Sequence, residues 1–223
     1  MNISYLYPHR FVPNPSVLDL LGVGENEKYV ILRFVSWSAG HDLGYFGISL
    51  DMKRTAVEEF SKYAKVFISS EKKLPDDLMK YQISIPSEMM HSALFYATLL
   101  YGESATMASE GAVLGTPAIY VDNEGRGYTD EEEEKYGLVF NFTESIEDQE
   151  LSIRKGVKLL KTPDIKRIWQ AKREKMLSEK IDVTAFMVWL IENYPESAII
   201  MKENLDYQYR FRSTPQRNTL RCQ

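Results

Sequence analysis

The strongest constraint on the fold is an alternation of short apolar runs with segments of helical periodicity. Six apolar runs read as strands, and a loop and a helical pattern follow most of them. They are 29–36, 65–70, 82–85, 99–101, 118–121 and 138–142. Such an alternation is typical of a parallel sheet joined by right-handed crossover helices. We therefore predict an α/β fold, a Rossmann-like parallel sheet of about six strands with helices on both faces.

The two ends of the chain depart from this pattern. Residues 1–28 begin with aromatic residues and prolines, which predicts a linker-like lead-in. Residues 29–205 form the predicted domain, and from Ser145 onward its pattern is helical. Residues 206–223 are polar and partly basic, so we expect a flexible tail there.

Composition limits the function classes. The chain has 223 residues, a net charge of −5 and no basic excess, which argues against a nucleic-acid partner. Its apolar runs are too short for a transmembrane segment, which needs about 20 residues. The single cysteine, Cys222, fits a reducing compartment, so we expect a cytoplasmic protein. The three histidines show no metal-type spacing, so no metal site is expected.

The stretch from Tyr101 to Tyr120 reads as a strand end, a tight turn, a helix over 105–114 and a new strand. Gly115 and Pro117 suit the end of that helix, and Ser104 or Thr106 can cap its start. Its small residues are Ala105, Ala108, Gly111 and Ala112. Something must therefore pack very close to it, either a sheet or a ligand along the first turn.

One acid, Glu110, lies in this apolar helix four residues after Thr106, so the two share a face. Helical side chains lean towards the N-terminus, where free N–H groups and the helix dipole favour an anion. A diphosphate on the first turn and a ribose hydroxyl on Glu110 would suit a nucleotide. The residues of that turn are Ser104, Ala105 and Thr106. The alternative is a capped core helix in which Glu110 pairs with a buried arginine or tyrosine.

Four loops follow strands and should share the edge of the sheet where open α/β sheets bind ligands. They are 37–47, 69–74, 102–106 and 122–128. His41, beside Asp42 in the first loop, is a site candidate, or the two order the loop. Arg33 interrupts a buried strand, so it forms a structural ion pair or faces a ligand near the strand's end. Ser70 ends the next strand on the same ligand edge, so Arg33 and Ser70 are also candidate nucleotide-binding residues. His91 reads as a structural histidine.

Residues 91–121, HSALFYATLLYGESATMASEGAVLGTPAIYV, resemble the carboxyl-terminal domain of non-hydrolysing UDP-N-acetylglucosamine 2-epimerases and related glycosyltransferases of GT-B architecture. In those proteins an Asp-Ser-Gly-Gly turn leads into a helix that carries a ribose-binding glutamate. Here the turn is 103–106, with Ala105 and Thr106 at the glycine positions, and Glu110 falls on the glutamate. With further motifs, residues 5–142 resemble a family of prokaryotic proteins described as predicted glycosyltransferases of this architecture.

This resemblance implies a UDP-sugar as the ligand, held by Ser104, Ala105, Thr106 and Glu110, with no cofactor required. It places His41 near the diphosphate as the tentative catalytic residue, although Asp42 stands where the epimerases have arginine. Such enzymes also have an amino-terminal Rossmann-like domain for the acceptor. We therefore expect a stand-alone nucleotide-binding half, whose partner is a separate amino-terminal domain or a second copy.

Three functions remain open. The first is the nucleotide-sugar-binding half of a glycosyltransferase. The second is a non-catalytic module of the same fold, which would dimerise or dock a partner through the aromatic lead-in and the last helices. The third is a UDP-sugar 2-epimerase-like enzyme.

Overall fold

The structure, a computed structural model, describes residues 3–24, 26–36 and 46–212. Five strands form one sheet in the order β2-β1-β3-β4-β5, and every neighbouring pair is parallel. They are β1 (Tyr29–Phe34), β2 (Lys65–Ser70), β3 (Leu99–Gly102), β4 (Ala118–Val121) and β5 (Val139–Phe142). The predicted Rossmann-like α/β fold is confirmed, with an order common among doubly wound sheets.

The sheet has five strands where the sequence predicted about six, and the segment 82–85 accounts for the difference. Gln82 makes one isolated parallel bridge to Ile68, and the Ile83 N–H donates to the Ile68 carbonyl at 2.8 Å. A 3-10 turn at Met79–Tyr81 precedes this contact, and Pro86, which has no N–H to donate, follows it. The segment is therefore too short to continue the ladder.

Nine α-helices occur in the described ranges. They are α1 (Ser16–Leu21), α2 (Leu50–Ser61), α3 (Met90–Tyr96), α4 (Ala105–Leu114), α5 (Gly127–Glu134), α6 (Ile146–Lys161), α7 (Ile165–Glu179), α8 (Val183–Glu192) and α9 (Glu196–Glu203). Side-chain oxygens of Ser49, Ser104, Ser145 and Asp182 cap α2, α4, α6 and α8. Short 3-10 helices occupy Ser4–Leu6, Ser87–Met89 and Leu205–Phe211.

The helices pack in two groups around the sheet. α2 contacts α6, whereas α4 contacts α3, α5 and α7. Strands β3 and β4 are buried along their whole length, as expected for central strands covered on both faces. The core therefore lies on both sides of the strands that lead into and out of α4.

The two ends are more ordered than the sequence suggested. In the lead-in, Leu6 and Val17 are buried in the main core, so this segment packs on the domain instead of lying apart from it. Residues 206–211, at the start of the expected flexible tail, belong to the 3-10 helix Leu205–Phe211, which contacts α8. Within the described ranges, every helix is too short or too polar to cross a bilayer.

Candidate functional site

Helix α4 begins just after Gly102, where β3 lies close to the backbone of β1. Gly102, the last residue of β3, has a φ of +156°, and a Cβ there would lie 2.0 Å from the Arg33 carbonyl oxygen. Only glycine permits this approach. Ser104 follows as the cap, and its hydroxyl accepts the Met107 N–H at 3.3 Å. The left-handed Gly115 ends the helix, so the predicted bounds of 105–114 are confirmed.

The α4 tip, residues 104–106, stands at the change of direction in the sheet. β1 has β2 on one side and β3 on the other, and the chain leaves β3 away from β1 to form β4. Ligands bind in doubly wound folds in the crevice at the carboxyl ends of two such strands. Ser104 and Ala105 are partly exposed and Thr106 is exposed, so the tip is accessible.

The small residues of α4 are explained largely by packing. Ala108, Gly111 and Ala112 are buried on the side towards the sheet and its neighbouring helices. A Cβ on Gly111 would lie 3.4 Å from the Thr116 carbonyl oxygen and 3.7 Å from Ala118 Cβ. The helix therefore lies against the turn into β4, and only Ala105 of the small residues faces the open tip.

Glu110 is held by two side chains from elsewhere in the chain. It is buried, and its Oε1 accepts the Tyr5 hydroxyl at 2.7 Å and lies 3.2 Å from His91 Nε2. The Tyr5 and His91 rings meet edge to face at 5.7 Å. Burial raises the pKa of Tyr5, and the hydrogen bond to Glu110 and the negative charge of Glu110 raise it further. Glu110 therefore pairs with a tyrosine, as in the alternative interpretation, but Tyr5 is 45% exposed and not buried. Both contacts use one carboxylate oxygen.

Arg33 and Ser70 lie on the same edge but are turned away from α4. Arg33 Nη1 donates to Ser69 Oγ at 2.9 Å, and its Nη2 donates to Glu71 Oε1 at 2.5 Å. Ser70 Oγ donates to the Lys72 carbonyl at 2.8 Å. Arg33 thus forms the structural ion pair that the sequence left as one alternative. His41 lies outside the described residues.

Glu103 organises the loop after β1, a role that the sequence analysis missed. Its buried carboxylate accepts the N–H groups of Val35 at 2.8 Å and Ile48 at 2.6 Å, with Lys53 Nζ at 3.0 Å. Burial raises the pKa of Glu103, and the Lys53 charge and both N–H groups oppose that rise. Residues 35 and 48 flank the loop that contains His41, so Glu103 fastens both ends of it beside the α4 tip.

Tyr128 and Arg126, at the start of α5, are further residues that the sequence did not identify. Tyr128 interacts with Thr106, and its phenol also feels the positive charge of Arg126. Arg126 is 44% exposed and pairs with Glu124 at 2.9 Å. The glycine-rich loop before α5 indicated a site but did not identify these residues. The α4 tip therefore combines helix N–H groups with the hydroxyls of Ser104 and Thr106, an arrangement suited to an anion.

The described ranges support neither a metal site nor a ligand site in a hollow that contains the predicted residues. No group of three or more histidine, cysteine, aspartate or glutamate side chains there could hold a metal ion. A shallow hollow of about 460 Å³ beside the start of β2 is lined by residues such as Leu21, Lys65 and Tyr81. None of the predicted site residues lines that hollow.

Comparisons with known proteins give structural matches alone. No protein-family model and no curated protein matches the chain. Among solved structures, the kitacinnamycin glycotransferase is 15% identical, with 68% of this chain and 39% of that chain covered at a TM-score of 0.45. A candidate UDP-N-acetylglucosamine 2-epimerase from Listeria monocytogenes is 14% identical, with 74% and 43% covered at 0.44. The spinosyn rhamnosyltransferase SpnG is 12% identical, with 75% and 46% covered at 0.48.

The chain therefore spans about two fifths of the length of the first structures it matches, 39% and 43%. TM-scores below 0.5 at these identities carry no argument about substrate or site.

Proposed function

We propose that this chain binds a nucleotide sugar, with a UDP-linked sugar as its ligand, and serves as the nucleotide-binding half of a glycosyltransferase of GT-B architecture. The observation that carries the proposal is the accessible, Ser104-capped start of α4 at the crevice between β1 and β3. A helix start at that place offers N–H groups and a positive dipole end to a diphosphate.

Each group near the tip has a proposed role. The N–H groups of Ala105 and Thr106 bind the diphosphate, and Arg126 contributes positive charge by exchanging its contacts with Glu124 and Asp122. Glu110 accepts a ribose hydroxyl, which requires it to share or exchange the oxygen now bonded to Tyr5. The resemblance supports His41 as the group that stabilises the departing diphosphate when the sugar moves to an acceptor. The acceptor and the base that deprotonates it would come from a separate Rossmann-like half.

Calorimetric titration with UDP and UDP-sugars tests the proposal. Ala105→Pro removes the first N–H of α4, while proline suits the first helical position and Ser104 already has the extended backbone that precedes proline. We expect UDP affinity to fall at least tenfold. Ile146→Pro is the matched control, because Ile146 holds the same position after the Ser145 cap of α6. Binding that survives both Ala105→Pro and Glu110→Ala would refute the assigned site.

The non-catalytic module is the second candidate, because Glu110 is already bonded to Tyr5 and adjoins His91. Tyr5→Phe separates the two functions. If Glu110 binds ribose, removal of the competing hydroxyl leaves UDP affinity equal or higher, whereas Glu110→Gln lowers it. If the chain is only an interaction module, neither the wild type nor any variant binds UDP at millimolar concentration.

A further inference from the structure

The last described part of the chain is apolar yet contributes nothing to the core. Residues 183–212 include 17 apolar residues out of 30. None of these 17 side chains is buried, and the last buried apolar side chain in the described ranges is Leu177. An apolar segment of this length that buries none of its apolar side chains has a surface that favours a partner.

Aromatic side chains of this segment pack against one another. We call residues 183–211, which comprise α8, α9 and Leu205–Phe211, the C-terminal cluster. The Trp189 ring stacks on Tyr207 with centroids 4.8 Å apart, and Phe186 meets Phe211 at 5.6 Å. These rings join α8 to the 3-10 helix, and α9 contacts both.

The C-terminal cluster is fastened to the lead-in. Ser4 Oγ and Thr184 Oγ1 are 2.6 Å apart. Asp182, which caps α8, accepts Arg10 Nη2 at 2.7 Å and His9 Nε2 at 2.9 Å. The cluster is therefore attached at the start of α8, and the rest of its outer surface is left uncovered by the described residues.

The exposed apolar area of the C-terminal cluster is comparable with the area that one partner buries in a standard interface. Met187, Val188 and Ile191 lie on the side of α8 opposite Phe186 and Trp189, following helical spacing. With them, the exposed apolar side chains of the cluster are Tyr194, Ile199, Leu205 and Tyr209. Between 44% and 72% of each of these seven residues is exposed. Typical side-chain areas put their exposed total at roughly 800 Å², about what each partner buries in a standard interface.

We propose that the outer face of the C-terminal cluster binds a second copy of this chain in a two-fold dimer. In such a dimer the same patch meets itself, so a ring of charges of one sign would repel. Residues 183–212 carry four acids and three bases, close to neutral, although the whole chain has a charge of −5. The near balance of acidic and basic residues and the exposed apolar area of the cluster together fit self-association. The proposal does not depend on nucleotide binding.

Light scattering coupled to size exclusion measures the mass of the full chain at micromolar concentration. We expect twice the 25.8 kDa of one chain for the wild type, and the monomer mass for Ile191→Asp and for Met187→Asp. Ile146→Asp is the matched control, because Ile146 is exposed to 55% on α6, outside the cluster. It should stay dimeric. Circular dichroism confirms that each variant is folded.

Two results would overturn the proposal. One is a monomeric wild type at 100 µM or above, which would leave this face for a different partner. The other is a dimer that persists in both folded aspartate variants, which would place the interface elsewhere.

Discussion

Helices α4 and α8 are each ten residues long and both are largely apolar, yet their surroundings are opposite. Seven residues of α4 are buried, whereas none of α8 is. The difference follows side-chain size. Alanine and glycine allow the α4 backbone to lie against the sheet, while the large side chains of α8 hold it outside, in contact mainly with its own aromatic neighbours. Apolar composition alone therefore does not decide which helix is internal.

The polar residues of the two helices differ in the same way. Within α4, Glu110 and Ser109 bond to Tyr5 and Glu132, which belong to other elements. At α8 the polar contacts occur at its start, through Asp182 and Thr184. The contacts of α4 hold the buried part of the helix and leave its start accessible. The contacts of α8 attach the start of that helix and leave its outer side exposed.

Truncating one large side chain in each helix gives the largest expected contrast. Leu114→Ala in α4 should lower the free energy of unfolding by about 3 to 4 kcal/mol, because Leu114 is fully buried and a cavity would remain. Ile191→Ala in α8 should cost less than about 1 kcal/mol, since most of Ile191 is exposed. Urea unfolding of the dilute monomer measures both. Equal losses would contradict the different burial of the two helices.

Enlarging a small side chain tests the close packing of α4 directly. Ala112→Leu should destabilise the fold by about 2 kcal/mol, because Ala112 is fully buried against its neighbours. Ala185→Leu, at a half-buried position of α8, should change stability by less than about 1 kcal/mol. The same unfolding assay applies. A tolerated leucine at position 112 would mean that space beside α4 is available to a ligand.

Buried acids beside the two helices should give opposite pH dependence. Burial raises the pKa of Glu132, the partner of Ser109, to about 7, against the opposing bond from Ser109. Since the unfolded chain loses this proton at lower pH, Glu132 stabilises the fold below its unfolded pKa. That contribution is lost as the pH rises towards and past 7. In the wild type the free energy of unfolding should therefore fall by about 2 kcal/mol over this pH window. Glu132→Gln should abolish that fall, which urea unfolding at stepped pH measures.

Asp182 should act in the reverse direction at the start of α8. Burial tends to raise its pKa, but the Ala185 N–H and the side chains of Arg10 and His9 outweigh it, so the pKa is lowered. Its stabilisation is therefore present above its unfolded pKa and is lost as the pH falls through the lower folded value. Asp182→Asn should reduce by about 1 kcal/mol the free energy of unfolding that is lost on acidification. A loss of stability towards alkaline pH in this window would contradict the assignment.

The parts of the fold that were predicted correctly depend on local signals. β2, β4 and α4 match their expected bounds, because glycine, proline and a capping serine act within a few residues. The segment 82–85 failed as a strand because the 3-10 turn at Met79–Tyr81 and Pro86 leave it too short to continue the ladder along β2. Its apolar residues alone did not contain that information.

In the candidate site, too, local features were predicted correctly and contacts between distant parts of the sequence were not. The α4 tip was evident from Ser104 and its neighbours, since capping is local. The partner of Glu110 was not, because Tyr5 lies 105 residues away and only the packed lead-in brings it there. Glu103 likewise reaches Val35 across 68 residues, a contact that sequence periodicity does not reveal.

Backbone amide NMR during a UDP titration tests the nucleotide site most directly. We predict that the amides of Ala105 and Thr106 shift most and saturate together, with the Glu110 amide following. The same titration on Ala105→Pro should require at least ten times more UDP. Saturating UDP that leaves these amides unmoved, or that shifts those lining the hollow beside β2 instead, would contradict a nucleotide site at the start of α4.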